Sequence, residues 1–130
     1  MQWQMSWMNM FEFTGNYRVT LVADHSSEHL ESPSFMAQWH FVPSSMETMM
    51  EATEEAAALW KRHGAKMVML TSLAGTGVGQ FAFSLAFANG EEFGAIMDKV
   101  SQDEAFMQWQ AKYSNTATWT GNIYGRKIMD

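Results

Sequence analysis

The segment Phe35–Gly64 runs FMAQWHFVPSSMETMMEATEEAAALWKRHG and contains a complete strand-to-helix unit. Phe35–Val42 is a short apolar run rich in strand-forming residues. Pro43, which has no N–H to give to a sheet ladder, stops it. Ser44 then stands three residues ahead of Glu47, the spacing of a capping box, so the chain is expected to enter a helix there. Met46, Met49, Met50, Thr53, Ala56, Ala57 and Trp60 recur at helical spacing and form one stripe. Glu47, Glu51, Glu54, Glu55 and Arg62 fall on the other side, as on a solvated face. Gly64 closes the helix, and His63 just before it complements the negative end of the helix dipole.

Reading on from Gly64, Lys66–Leu73 (KMVMLTSL) is a second strand. Ala74–Gly77 is a turn, and Val78–Ala88 is a third strand with Phe81, Phe83, Leu85 and Phe87 on one face. Gly75, Gly77 and Gly79 have the look of a phosphate-cradling loop. No helix follows them and no P-loop lysine is present, so they read as a hairpin turn. Asn89-Gly90 opens a second helix with Phe93, Ile96, Met97 and Val100 on one side. Ser101 with Glu104 is another capping box, which predicts a break and a restart. Phe106, Trp109 and Tyr113 carry the apolar stripe forward, and Thr116–Ile128 is a last strand studded with aromatic residues. From Phe35 to Ile128 the order is β-α-β-β-α-β, an α+β ferredoxin-like unit. Helices cover one face of such a sheet. The other face would carry Phe, Trp and Met, too much apolar surface to leave in water, so a homodimer is expected to cover it.

The N-terminal part repeats the C-terminal part. Nine of the first 24 residues recur 106 positions later: MQWQ at Met1–Gln4 and Met107–Gln110, Asn9 and Asn115, TGN at Thr14–Asn16 and Thr120–Asn122, Asp24 and Asp130. Phe11–Ala23 is therefore expected to be a strand like the last one, and Met1–Met8 to imitate a helix tail. This divides the chain into residues 1–33, an N-terminal arm with an extra strand, and residues 34–130, the ferredoxin-like unit. The arm is open to two readings: a remnant of a tandem unit, or a strand exchanged between subunits.

Composition narrows the function classes. With 130 residues, 47% hydrophobic and 17% charged, the chain is one globular domain at the oily end. A net charge of −6 with eight Lys and Arg argues against nucleic acid and against anionic lipid as partners. No apolar run is long enough to span a membrane, and the N-terminus does not read as a signal peptide. Zero cysteines remove disulfide and thiol chemistry and suit a cytoplasmic location. Thirteen Met, nine Phe and six Trp point either to a Met-rich core or to an adaptable apolar cavity or interface.

An acidic β-α-β-β-α-β unit with a proline closing its first strand resembles the dimeric α+β barrel superfamily. So does an interrupted second helix of the type DEAFMQWQAKY leading into a final strand. That superfamily includes antibiotic-biosynthesis-monooxygenase-like, EthD-like and NIPSNAP-like domains. The resemblance covers Phe35–Asp130 and rests on pattern, with no diagnostic motif. It implies two sheets facing each other around a cavity, and an activity among those of cofactor-free oxygenases, haem-degrading enzymes and proteins without known activity. No catalytic residue of the family can be placed on a position of this chain, and no cofactor is called for by its motifs.

Candidate binding residues follow from strand geometry. His40, the one histidine inside an expected strand, shares a face with Gln38 and Met36. As the last strand should neighbour the first, Asn122, Tyr124 and Arg126 could meet it. With Phe83, Met67 and Trp119 as apolar walls, this makes a small-molecule site for an elongated, fatty-acid-like molecule whose polar end meets His40, Tyr124 or Arg126. A His40 satisfied by its neighbours, an Arg126 in water and a purely structural dimer with a filled barrel are the plainer alternatives. The segment DHSSEHLE, Asp24–Glu31, places His25 and His29 four apart near Glu28. It links two strands and ends at Pro33, so it reads as a solvated loop and not as a metal site. No Ser/His/Asp or Cys/His arrangement is present.

Overall fold

The computed structural model describes residues 18–74 and 79–126. The expected Met1–Met8 helix tail, the first part of the Phe11–Ala23 strand and the Gly75–Gly77 turn lie outside them. Among the described residues the elements run β1 (Arg18–Asp24), β2 (Phe35–Pro43), α1 (Met46–Arg62), β3 (Met67–Ala74), β4 (Gln80–Phe87), α2 (Gly90–Ser101), α3 (Glu104–Tyr113) and β5 (Ala117–Arg126). All strand pairings are antiparallel, and the sheet order is β1-β3-β4-β2-β5. From β2 onward this is the ferredoxin-like arrangement, with the last strand beside the first, and β1 is the extra strand on the far side of β3. The two edge strands, β1 and β5, each carry part of the 106-residue repeat.

Helix boundaries follow the expected chemistry, with two caps moved. The N-cap of α1 is Ser45, not Ser44: its hydroxyl accepts from the Thr48 backbone N–H at 3.0 Å. Ser44 instead ties the strand end to β5, its N–H donating to Thr116 O at 2.8 Å. Asn89 caps α2 through Glu92 N–H at 2.8 Å. The helix does break after Ser101, but the restart is capped by Asp103, which accepts from Ala105 N–H at 2.9 Å. In both corrected cases the residue next to the helix holds extended backbone angles, which places its side-chain oxygen over the free N–H groups.

The helices pack on the face of the sheet that carries Phe35, Trp39 and Phe41 of β2, Val68 and Leu70 of β3, and Phe81, Phe83, Leu85 and Phe87 of β4. Leu59, Trp60, Ile96 and Val100 meet them from α1 and α2. By strand alternation the opposite face carries Met36, Gln38 and His40, Met67, Met69 and Thr71, and Ala82, Ser84 and Ala86. From the sequence this face is expected to be bare. It is not: Met36, Met67, Met69, Thr71, Ala82 and Ser84 are all fully buried within the single chain. The segment after β1 contributes to that closure, since Leu30 N–H points at Met67 Sδ and Pro33 is buried. In the same segment His29 Nε2 lies 2.7 Å from Asp24 Oδ2, and Glu28 pairs with Lys66 just before β3. No helix among the described residues is long and apolar enough to cross a membrane.

Candidate functional site

The candidate site is a cleft of about 420 Å³ between α1, α3 and the helix-bearing face of β2 and β5. Its existence follows from side-chain sizes. The inward line of α1 at this level is Ala52, Thr53 and Ala56, small residues that hold the helix over the sheet without filling the space. Around that gap stand bulky rings: Trp39 and Phe41 from β2, Trp60 at the end of α1, Phe106 and Trp109 from α3, and Trp119 from β5. Trp39 and Trp60 pack with centroids 5.7 Å apart, and Phe41 meets Trp119 edge-on at 5.5 Å. Trp119 is 56% exposed and forms part of the mouth.

A bulge brings Trp119 there. β5 follows β2 in register from Phe35–Arg126 to His40–Gly121, then slips so that Phe41 pairs with Trp119. The extra residue turns the following side chains over, and Trp119 lands on the face of Phe41 rather than that of His40. On the other face Gly121 lies beside the imidazole, at a distance where a Cβ would make ordinary contact, 3.9 Å from His40 Nδ1.

α3 is the outer wall and is tied to α1 along its length. Trp109 Nε1–H donates to Ala52 O at 2.9 Å. At one end Asp103 accepts from His63 at 2.6 Å and from Arg62. Donation from His63, with the Ala105 N–H and Arg62 adding to it, lowers the Asp103 carboxyl to about 2. At the other end the Tyr113 hydroxyl donates to Glu55, and Lys112 Nζ lies 3.2 Å from the same carboxylate. That hydroxyl and the Lys112 ammonium hold Glu55 below its usual value, and the Glu55 carboxylate in turn holds the Tyr113 hydroxyl protonated beyond its usual range. These ties leave the wall's inner, apolar side toward the sheet.

The structure divides the residues singled out in the sequence between the two faces of the sheet. Phe83 and Trp119 line the cleft. Tyr124 is on the same face but farther along, packed on Phe93 with centroids 5.3 Å apart and half exposed. Gln38, His40 and Met67 lie on the opposite face and do not reach the cleft. Arg126 stands opposite Phe35, six residues along β2 from Phe41, which is roughly 20 Å at the rise of a strand. Asn122 crosses to β2, where its amide donates to the Gln38 carbonyl at 2.9 Å. Within one chain, then, these residues are divided between the two faces of the sheet and do not line one cleft.

His40 Nε2–H donates to Gln38 Oε1 at 3.0 Å, the residue is 4% exposed, and burial lowers the imidazole pKa. Being enclosed on the face away from the cleft, the imidazole does not meet a molecule held there. Beside it Ser84 is fully buried, and its Oγ has no partner among the described residues. The cleft residues that the sequence did not single out include Ala52, Gln110 and Thr116, with Met49, Thr53, Trp60, Trp109 and Tyr113 seen only as helix stripes. The signal for them was the run of small residues on α1 opposite an excess of Trp.

No family model matches the sequence, and no curated protein matches it. Among solved structures, a candidate monooxygenase from Lactobacillus acidophilus NCFM is 9% identical with a TM-score of 0.44, over 75% of this chain and 45% of its own. A conserved protein of unknown function from Bacteroides thetaiotaomicron, described as a possible oxidoreductase, is 15% identical with a TM-score of 0.44, over 72% of this chain and 97% of its own. A candidate monooxygenase from Fusobacterium nucleatum is 9% identical with a TM-score of 0.44, over 85% of this chain and 49% of its own. The chain thus spans about half the length of the Lactobacillus and Fusobacterium proteins. The ferredoxin-like assignment stands on the strand order itself.

Proposed function

We propose that this protein binds a small, largely apolar molecule in the cleft between its helices and its sheet. The supporting observation is the roughly 420 Å³ of aromatic-lined space at a level where a domain core is normally close-packed. That size falls within the roughly 300–1,000 Å³ of small-molecule sites, and the lining has their usual make-up, apolar walls with a few polar groups. The whole lining comes from one chain, so occupancy does not depend on whether two copies pair through their sheets, as the barrel resemblance implies.

Binding is favoured over an oxygenase-like reaction by the groups at hand. The one titratable side chain lining the cleft, among the described residues, is Tyr113, and its hydroxyl is protonated and engaged with Glu55. His40 is separated from the cleft by the sheet. The site thus presents no free acid or base to a bound molecule, whereas apolar association needs none.

Four tryptophans in the lining make the test direct. N-phenyl-1-naphthylamine, a neutral apolar fluorophore, should bind one per chain, quench tryptophan emission and gain emission by transfer from those rings. The variant Ala56→Phe, which puts a phenyl group into the space, should lose that signal while remaining folded. A titration with no saturable quenching in the wild-type protein would refute the proposal.

A further inference from the structure

We infer that the cleft selects an uncharged ligand, with its polar end held by the Gln110 amide and with carboxylates and other ions excluded. The inference rests on the cleft being the binding site proposed above, and it names the chemistry of what enters. None of the residues lining the cleft is charged at neutral pH. An ion drawn into such a space loses its hydration and gains no partner, which costs far more than apolar contact returns.

The nearest cations do not offset this cost. Lys112 and Arg62 line an adjoining groove on the outer side of α1 and α3. Lys112 is paired there with Glu55 and Arg62 with Asp103. These two cations are thus turned away from the cleft and already paired. A fatty-acid carboxylate, one form the fatty-acid-like ligand expected from the sequence could take, finds no counter-ion in the lining.

The hydrogen-bond inventory points the same way. Thr53 Oγ1 donates to Met49 O at 2.8 Å, Thr116 Oγ1 to Tyr113 O at 2.8 Å, Ser114 Oγ to Ala111 O at 3.3 Å, and Tyr113 to Glu55. The hydroxyl protons of the lining are therefore spent on the protein itself. Gln110, exposed at the rim, offers both an N–H donor and a carbonyl acceptor. A neutral amide matches a neutral hydroxyl, carbonyl or amine on the ligand, and it cannot compensate a full charge.

The experiment compares N-phenyl-1-naphthylamine with 1-anilinonaphthalene-8-sulfonate, two fluorophores with one aromatic body that differ by a sulfonate. Each is titrated against wild-type protein and against Ala56→Phe at neutral pH. The neutral probe should bind at least about tenfold more tightly, and the variant should weaken the neutral probe while leaving residual sulfonate binding unchanged. Sulfonate binding of equal strength that is also lost in Ala56→Phe would overturn the inference while leaving the cleft as the site. Failure of both probes to bind wild-type protein would remove the site and the inference together.

Discussion

Replacing Ala56 and Ala57 in turn by phenylalanine distinguishes an open cleft from a filled core. Both residues are on the buried side of α1, with Ala56 6% and Ala57 1% exposed, but only Ala56 lines the cleft. Full burial of a phenylalanine side chain contributes about 1.5–3 kcal/mol relative to exposure, and a cleft open on one side returns about half of that, or roughly 1 kcal/mol. Phe is a poorer helix former than Ala by about 0.5 kcal/mol, which leaves Ala56→Phe roughly 0.5 kcal/mol more stable than the wild type. Ala57→Phe has no space to enter. Forcing a ring into a close-packed core typically costs about 1–3 kcal/mol. The two variants should therefore differ by about 2 kcal/mol. With a urea dependence of about 1–3 kcal/mol per molar, their unfolding midpoints should lie roughly 1 M apart. Urea unfolding followed by far-UV circular dichroism reads this directly. If Ala56→Phe lowers the midpoint as far as Ala57→Phe does, the space beside Ala56 is not there, and the case for a binding cleft collapses.

Two further outcomes concern pH. Burial lowers the His40 pKa below its ordinary 6.5, so the unfolded chain takes up a proton there that the folded chain refuses. The urea midpoint should accordingly fall as pH drops below about 6.5, and His40→Gln should flatten that fall; an unchanged slope would show that the imidazole is not held neutral. Asp103 titrates at about 2 instead of the ordinary 3.8, so its stabilising contribution is present above 3.8 and is lost as pH falls through about 2. Asp103→Asn keeps a capping oxygen for Ala105 N–H but removes the charge. Its midpoint should vary less than the wild type's between pH 4 and 2, and equal variation would contradict the role given to His63 and Arg62.

The order of elements was legible because each signal is local. Pro43 ends β2, Asn89 caps α2, and the methionine and alanine spacing of α1 has the helical period. The error in the two moved caps has the same origin. Ser44 and Ser45 are chemically equal candidates in the sequence, and what separates them is that Ser44 is drawn into the β2–β5 pairing through Thr116 O. The last strand's place beside the first came from the ferredoxin-like pattern, and β3 as the partner of β1 came only with the fold.

Which face of each strand meets the helices was not in the sequence. Both faces of β2 are buried, with Met36, Gln38 and His40 alternating with Phe35, Ala37, Trp39 and Phe41, so hydrophobic alternation gives no phase. That phase decides the site, because it sends His40, Gln38 and Met67 to one side of the sheet and Phe83 and Trp119 to the other. The bulge in β5 is equally invisible, as nothing in TWTGN marks where one residue slips out of register. The sequence by itself determined the α+β ferredoxin-like unit, its helices and its extra strand, since these depend on period, caps and turn residues close along the chain. The location of the cleft was decided by tertiary structure alone, since it depends on small residues of α1 coming to lie opposite rings from β2, α3 and β5, and only folding sets those distances.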